Sequence, residues 1–134
     1  MIVGTEWLIE AADCETAKLR DETVLRGIFD RVVSDLGLKV LDQIWHTFPG
    51  EGGVTGMALL TESHLTCHTY PEHHTATFNL YCCRTRPEWD WSLELANGLG
   101  AKRVLISKYG RGDAKTEARS EIPILRSKTV GGEE

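Results

Sequence analysis

Leu59-Leu60-Thr61-Glu62-Ser63-His64-Leu65-Thr66-Cys67-His68-Thr69-Tyr70-Pro71-Glu72 is the stretch on which the architecture turns. Apolar residues flank Glu62-Ser63 on both sides, which predicts two strands joined there by a very tight connection. Strand alternation over 64–70 puts His64, Thr66, His68 and Tyr70 on one face and Leu65, Cys67 and Thr69 on the other. The first of these faces is polar and carries hydroxyl, imidazole and aromatic groups. Such a face suits the wall of a site as well as it suits a sheet surface open to water.

Working outward, residues 39–48 and 54–61 read as strands separated by the loop Pro49-Gly50-Glu51-Gly52-Gly53. Pro71-Glu72-His73-His74 turns the chain again, and 75–83 forms a further strand. Its Ala76, Phe78, Leu80 and Cys82 share one side, and Thr77, Asn79, Tyr81 and Cys83 the other. Residues 2–10 predict a first strand and 102–109 a last one. Between 15 and 36 the positions Leu25, Ile28, Phe29, Val32, Val33 and Leu36 step by three and four, the stripe of an amphipathic helix, with Gly37 as its C-terminal cap. Pro87 suits the first turn of a second helix running to Leu99, followed by Gly100. Strand, helix, four strands joined by turns, helix and strand make an α+β fold. We expect a two-layer sandwich, mainly antiparallel, with two helices on one face of the sheet. The other face must be wet or covered, and a dimer is one way to cover it.

The chain has 134 residues, enough for one domain with a real core, here 1–128, with 129–134 expected as a disordered tail. Apolar residues make up 41% and charged ones 26%, ordinary for a soluble globular protein. A net charge of −5 argues against a nucleic-acid partner, which calls for a basic stripe. No apolar run is long enough to span a membrane, and no secretory signal pattern opens the chain. These features predict the cytoplasm, where Cys14, Cys67, Cys82 and Cys83 stay free thiols.

Histidines and cysteines crowd residues 64–83 and raise the question of a metal. His64 and His68, four apart on a strand, lie roughly 13 Å from each other at about 3.3 Å per residue. One ion with bonds near 2 Å cannot bridge them. No Cys-x-x-Cys spacing occurs, and adjacent Cys82 and Cys83 face opposite ways. No metal is expected. Ser63 with His68 hints at a hydrolase, yet the Gly-x-Ser-x-Gly elbow is missing. Singly, Ser63 reads as a turn residue and Cys83 as a small apolar filler.

Taken together, the run Thr61 to Glu72 resembles the self-cleavage motif of prokaryotic S-adenosylmethionine decarboxylases, pyruvoyl-dependent enzymes of polyamine (spermidine) biosynthesis. The likeness extends to Gly4-Thr5, His46-Thr47-Phe48, Gly53-Val54-Thr55-Gly56, Leu80-Tyr81-Cys82-Cys83 and, more weakly, Ala101-Lys102-Arg103-Val104. It implies that the Ser63 hydroxyl attacks the Glu62 carbonyl and that elimination then cuts the chain between Glu62 and Ser63. Ser63 would become a pyruvoyl group, replacing pyridoxal phosphate, which forms a Schiff base with the substrate amine and draws electrons as CO2 leaves. By the same resemblance His68 is the acid–base group of processing, assisted by Thr55, and Cys83 protonates the substrate α-carbon. Phe48 and Tyr70 would hold the adenine, and Glu72 the ribose hydroxyls. The family also implies a homodimer of cleaved protomers acting on a small molecule.

Departures from the pattern gather around the substrate. Glu6 stands where the family has histidine, Arg84 replaces glycine after Cys83, Tyr70 replaces tryptophan, and His73-His74-Thr75 replaces a tyrosine–glycine–tyrosine turn. Relatives act on arginine or ornithine, and Glu6, counted among the substrate-binding residues, would suit a guanidinium or ammonium tail. An uncleaved relative serving as a binding or regulatory partner is the other alternative.

Overall fold

The structure, a computed structural model, describes residues 1–112 in full and the backbone of 124–129. In chain order it runs β1 (Gly4–Ala12), α1 (Thr16–Leu19), α2 (Glu22–Leu36), β2 (Val40–Thr47), β3 (Val54–Leu60), β4 (Ser63–Tyr70), a 3-10 turn (Pro71–His73), β5 (Thr75–Cys82), α3 (Trp91–Leu99), β6 (Arg103–Arg111) and β7 (Ile124–Thr129). The strands form one sheet ordered β2-β3-β4-β5-β1-β6-β7, with every neighbouring pair antiparallel. The expected α+β sandwich with an antiparallel sheet is therefore what the chain builds.

Alternation decides which side of the sheet is dry. In β5, Ala76, Phe78, Leu80 and Cys82 are buried while Thr75, Thr77, Asn79 and Tyr81 are only partly covered. In β4, Leu65, Cys67 and Thr69 are buried. These inward side chains join one core with Leu25, Ile28, Phe29 and Val32 of α2 and Trp91, Leu95 and Leu99 of α3. Phe78 meets Trp91 with ring centroids 5.7 Å apart, and Phe29 meets Trp45 at 4.7 Å, so both helices are keyed to the sheet by aromatic pairs. The helices thus cover one face. The opposite face carries the polar row of β4.

The predicted helix over 15–36 is broken in two. Asp21 sits at φ −102°, ψ 103°, and its carboxylate accepts the Thr23 amide at 2.9 Å, capping α2 and forcing α1 to stop before it. Gly37 ends α2 at φ +67°, as expected of a glycine cap. The second helix begins at Trp91 and not near Pro87, because Asp90 caps it through the Leu93 amide at 3.1 Å. The first strand extends to Ala12, and β7 was not anticipated. Of the expected tail, 129–134, Thr129 instead ends β7, and residues 130–134 lie outside the described residues.

Candidate active site

The connection between β3 and β4 is a two-residue turn, Thr61-Glu62, closed by the pair Leu60 and Ser63. Turns of this length favour positive φ inside the turn. Here neither turn residue has it; the positive angle falls on Ser63, at φ +145°. That region is all but reserved for glycine, so a serine there carries strain of about 1–3 kcal/mol. The strain sits on the residue that follows the Glu62–Ser63 peptide bond.

The groups around this bond are well placed to act on it. The Glu62 carbonyl oxygen accepts the Cys83 backbone amide at 3.0 Å, which polarises the carbonyl in the sense that favours attack. Ser63 Oγ lies 3.0 Å from His64 Nδ1. Sequence reasoning missed His64, although its place next to Ser63 was a signal. Cys83, one residue past β5, is exposed, whereas Cys82 beside it is fully buried. Burial, and then the nearby Glu62 charge, push the Cys82 thiol up to about 12. The Glu62 side chain turns inward and forms a forked ion pair with Arg86, a residue that sequence reasoning also missed.

Glu6 also belongs to this end of the sheet. It lies opposite Tyr81 on β5, which in turn lies opposite His64 on β4. Its carboxylate is already engaged, by Arg111 at one oxygen and by the Asn79 amide at 2.7 Å at the other. Among the described residues, Asn79 Oδ1 is buried without a hydrogen-bond partner. An open groove of about 720 Å³ runs past these groups, lined by Glu6, His64, Asn79, Ile44, Met57 and Leu59 among others.

The remaining predicted residues collect at the far end of β4. His68 is five residues from Ser63 along one strand, about 16 Å at 3.3 Å per residue. The expectation that Ser63, His68 and Tyr70 form one pocket wall is therefore not met within a single chain. His68 Nδ1 is instead 2.5 Å from Thr55 Oγ1 on β3, the partner the resemblance implied. The Phe48 ring lies 5.8 Å from the His68 ring and the Tyr70 ring 4.5 Å from it on its other flank. Phe48 and Tyr70 are half-exposed and Glu72 is exposed in the turn just after β4. A second groove of about 480 Å³, lined by Thr55, His68, Thr66 and Thr77 among others, serves this end. One sheet face thus carries two clusters. One has the strained Glu62–Ser63 junction, the exposed Cys83 and a largely apolar groove that carries Glu6, His64 and Asn79; the other has the imidazole–hydroxyl pair, the aromatic rings and Glu72.

The family model described as S-adenosylmethionine decarboxylase matches residues 5–112, both clusters included. The chain belongs to the S-adenosylmethionine decarboxylase family. It is 39% identical over 112 residues to the S-adenosylmethionine decarboxylase proenzyme of Prochlorococcus marinus (strain MIT 9313), covering 82% of this chain and 88% of that one. The proenzyme of the same name from Bacillus cytotoxicus is 31% identical over 118 residues, covering 87% and 90%. The crystal structure of the adenosylmethionine decarboxylase from Aquifex aeolicus shares the fold with a TM-score of 0.68 at 24% identity, covering 89% of this chain and 98% of that chain.

Proposed function

We propose that this decarboxylase-family chain cuts itself between Glu62 and Ser63 and then decarboxylates S-adenosylmethionine. The observation that carries the reading is the geometry at the Glu62–Ser63 bond: a positive-φ serine, with its hydroxyl beside an imidazole and the acceptor carbonyl held by the Cys83 amide. Attack of Ser63 Oγ on the Glu62 carbonyl carbon forms an ester and frees the Ser63 nitrogen, with the hydroxyl proton passing to a base. Loss of the Ser63 α-proton then breaks the bond from its β-carbon to oxygen and releases Glu62 as a carboxylate. Water replaces the nitrogen as ammonia, leaving a pyruvoyl group at residue 63. That group supplies a carbonyl for the substrate's amine and an electron sink for decarboxylation.

The chain's own residues do the rest. His68, hydrogen-bonded to Thr55, is the base for the α-proton, and Cys83 returns a proton to the substrate carbon. Phe48 and Tyr70 hold the adenine and Glu72 the ribose. Because His68 lies about 16 Å from Ser63 on the same strand, the His68 that serves one Ser63 comes from a second copy packed face to face. Exposed Ile44, Met57 and Leu59 on this face supply the apolar contact for such a homodimer. Glu6, neutralised by Arg111 and Asn79, is not free to receive a guanidinium, which favours S-adenosylmethionine over arginine or ornithine. Free thiols at all four cysteines fit the reducing cytoplasm as the place of work.

Intact-mass measurement of the purified protein tests the reading. Two fragments, 1–62 and a pyruvoyl-blocked 63–134, are expected, with CO2 released from S-adenosylmethionine and not from arginine or ornithine. A single uncut chain, or release from an amino acid alone, refutes it.

A further inference from the structure

At the tip of a hairpin, a glutamate side chain ordinarily points into water. Glu62 does the opposite: its side chain is 2% exposed. Arg86 meets it as a fork, Nε donating to Oε1 at 3.0 Å and the second terminal nitrogen to Oε2. The third donor direction of the same guanidinium reaches the Leu36 carbonyl at 3.1 Å, in the last turn of α2. The Cys82 thiol, fully buried, lies beside the carboxylate. A buried ion pair gains little stability over a well-packed apolar pair, because both charges must leave water. What a planar fork supplies is a fixed direction. Here that direction is transmitted to one peptide unit, since Glu62 contributes the carbonyl under attack and the Cys83 amide holds its oxygen.

We propose that Arg86 is a positioning residue for self-cleavage, clamping Glu62 to the end of α2 so that its carbonyl faces the Ser63 hydroxyl. The inference rests on the proposed self-processing and goes beyond it by assigning control of the step to a side chain that touches neither reacting atom. With the clamp gone, the turn relaxes the angle at Ser63 and the carbonyl leaves the line of attack. A misplacement of about 1 Å is worth about a hundredfold in rate.

The test follows fragment formation from freshly synthesised full-length chain by intact mass. Arg86→Ala is expected to slow the cut about a hundredfold, and Arg86→Lys, which keeps charge without the fork, by less. Added guanidinium at non-denaturing concentration is expected to restore much of the Arg86→Ala rate, a rescue that a general loss of stability would not show. Because Arg86→Ala leaves a buried carboxylate unpaired, the double variant Glu62→Gln/Arg86→Met provides a neutral, folded counterpart, checked by its melting against Ser63→Ala. Slow cutting in this folded double variant supports the clamp. An unsubstituted rate in Arg86→Ala, or in the double variant, overturns it while leaving self-processing intact. An unsubstituted chain that never cuts overturns both.

Discussion

Ser63 is a strained serine in a place that suits glycine, and the two thiols near it differ in exposure, Cys83 open and Cys82 buried. Ser63→Ala removes the attacking hydroxyl, so mass spectrometry is expected to find one uncut chain. Cys83→Ala keeps the backbone amide that holds the Glu62 oxygen, so the cut proceeds, while CO2 release falls by at least about a hundredfold, the low end for a lost general acid. An uncut Cys83→Ala protein would assign that thiol to processing instead. Cys67 and Cys82 are pushed up to about 12 and Cys14 to about 11, mainly by burial. Raised values mean that the folded state keeps its thiol protons after the unfolded state, near 9, has lost them. Their contribution to stability is thus complete below pH 9 and is lost as pH climbs towards 12. Denaturant melts at stepped alkaline pH are expected to show this decline, and Cys67→Ala to flatten it. At this scale Ser63, Thr55 and His68 were legible because motif and alternation placed them. Arg86 was not, since its partner lies 24 residues away and Arg86 itself falls past the end of β5, where strand alternation no longer places a side chain.

Among the elements, the β3–β4 hairpin and α2 are bound to each other through Arg86, so the ends of both matter. Gly37, at φ +67°, ends α2 beside that arginine. Gly37→Ala is expected to cost about 1 kcal/mol, measured by urea unfolding in the Ser63→Ala background, where the chain is whole. Gly53 is tighter still: a Cβ there would stand 2.2 Å from the Thr69 carbonyl oxygen, so no larger residue fits where the 48–53 loop meets the end of β4. Strand periodicity made the sheet readable, because buried and open positions alternate cleanly in β4 and β5. The break between α1 and α2 was not readable from periodicity: the apolar stripe begins at Leu25 and says nothing about residues 15–21, where the Asp21 cap decides. β7 escaped for a different reason, as Ile124–Thr129 mixes apolar with basic and hydroxyl residues and shows no alternation of its own.

For the whole molecule, the separation of Ser63 from His68 makes a specific demand on assembly. If each site draws its His68 from the facing copy, two variants that fail alone should repair each other. Coexpressing His68→Ala with Ser63→Ala is expected to yield cut chains of the first variant only, because the second lends its imidazole but has no hydroxyl to react. Absence of cutting in the mixture would place the whole site in one chain. Sedimentation of the unsubstituted protein should show a dimer. The strand order carries a last consequence. The proposed cut between Glu62 and Ser63 would leave β1, β2 and β3 on one piece and β4 to β7 on the other, yet β1 lies between β5 and β6, with strands of the other piece on both sides. Neither piece could leave without tearing ladders, three of which join the two pieces (β3–β4, β5–β1 and β1–β6), so the severed protein would stay together. Its folding history, however, is now one-way: what was a first-order search by a single chain becomes a meeting of two molecules. Refolding from denaturant should therefore depend on concentration for the cut protein far more steeply than for Ser63→Ala, and the mature enzyme is in effect a shape that only its precursor knows how to reach.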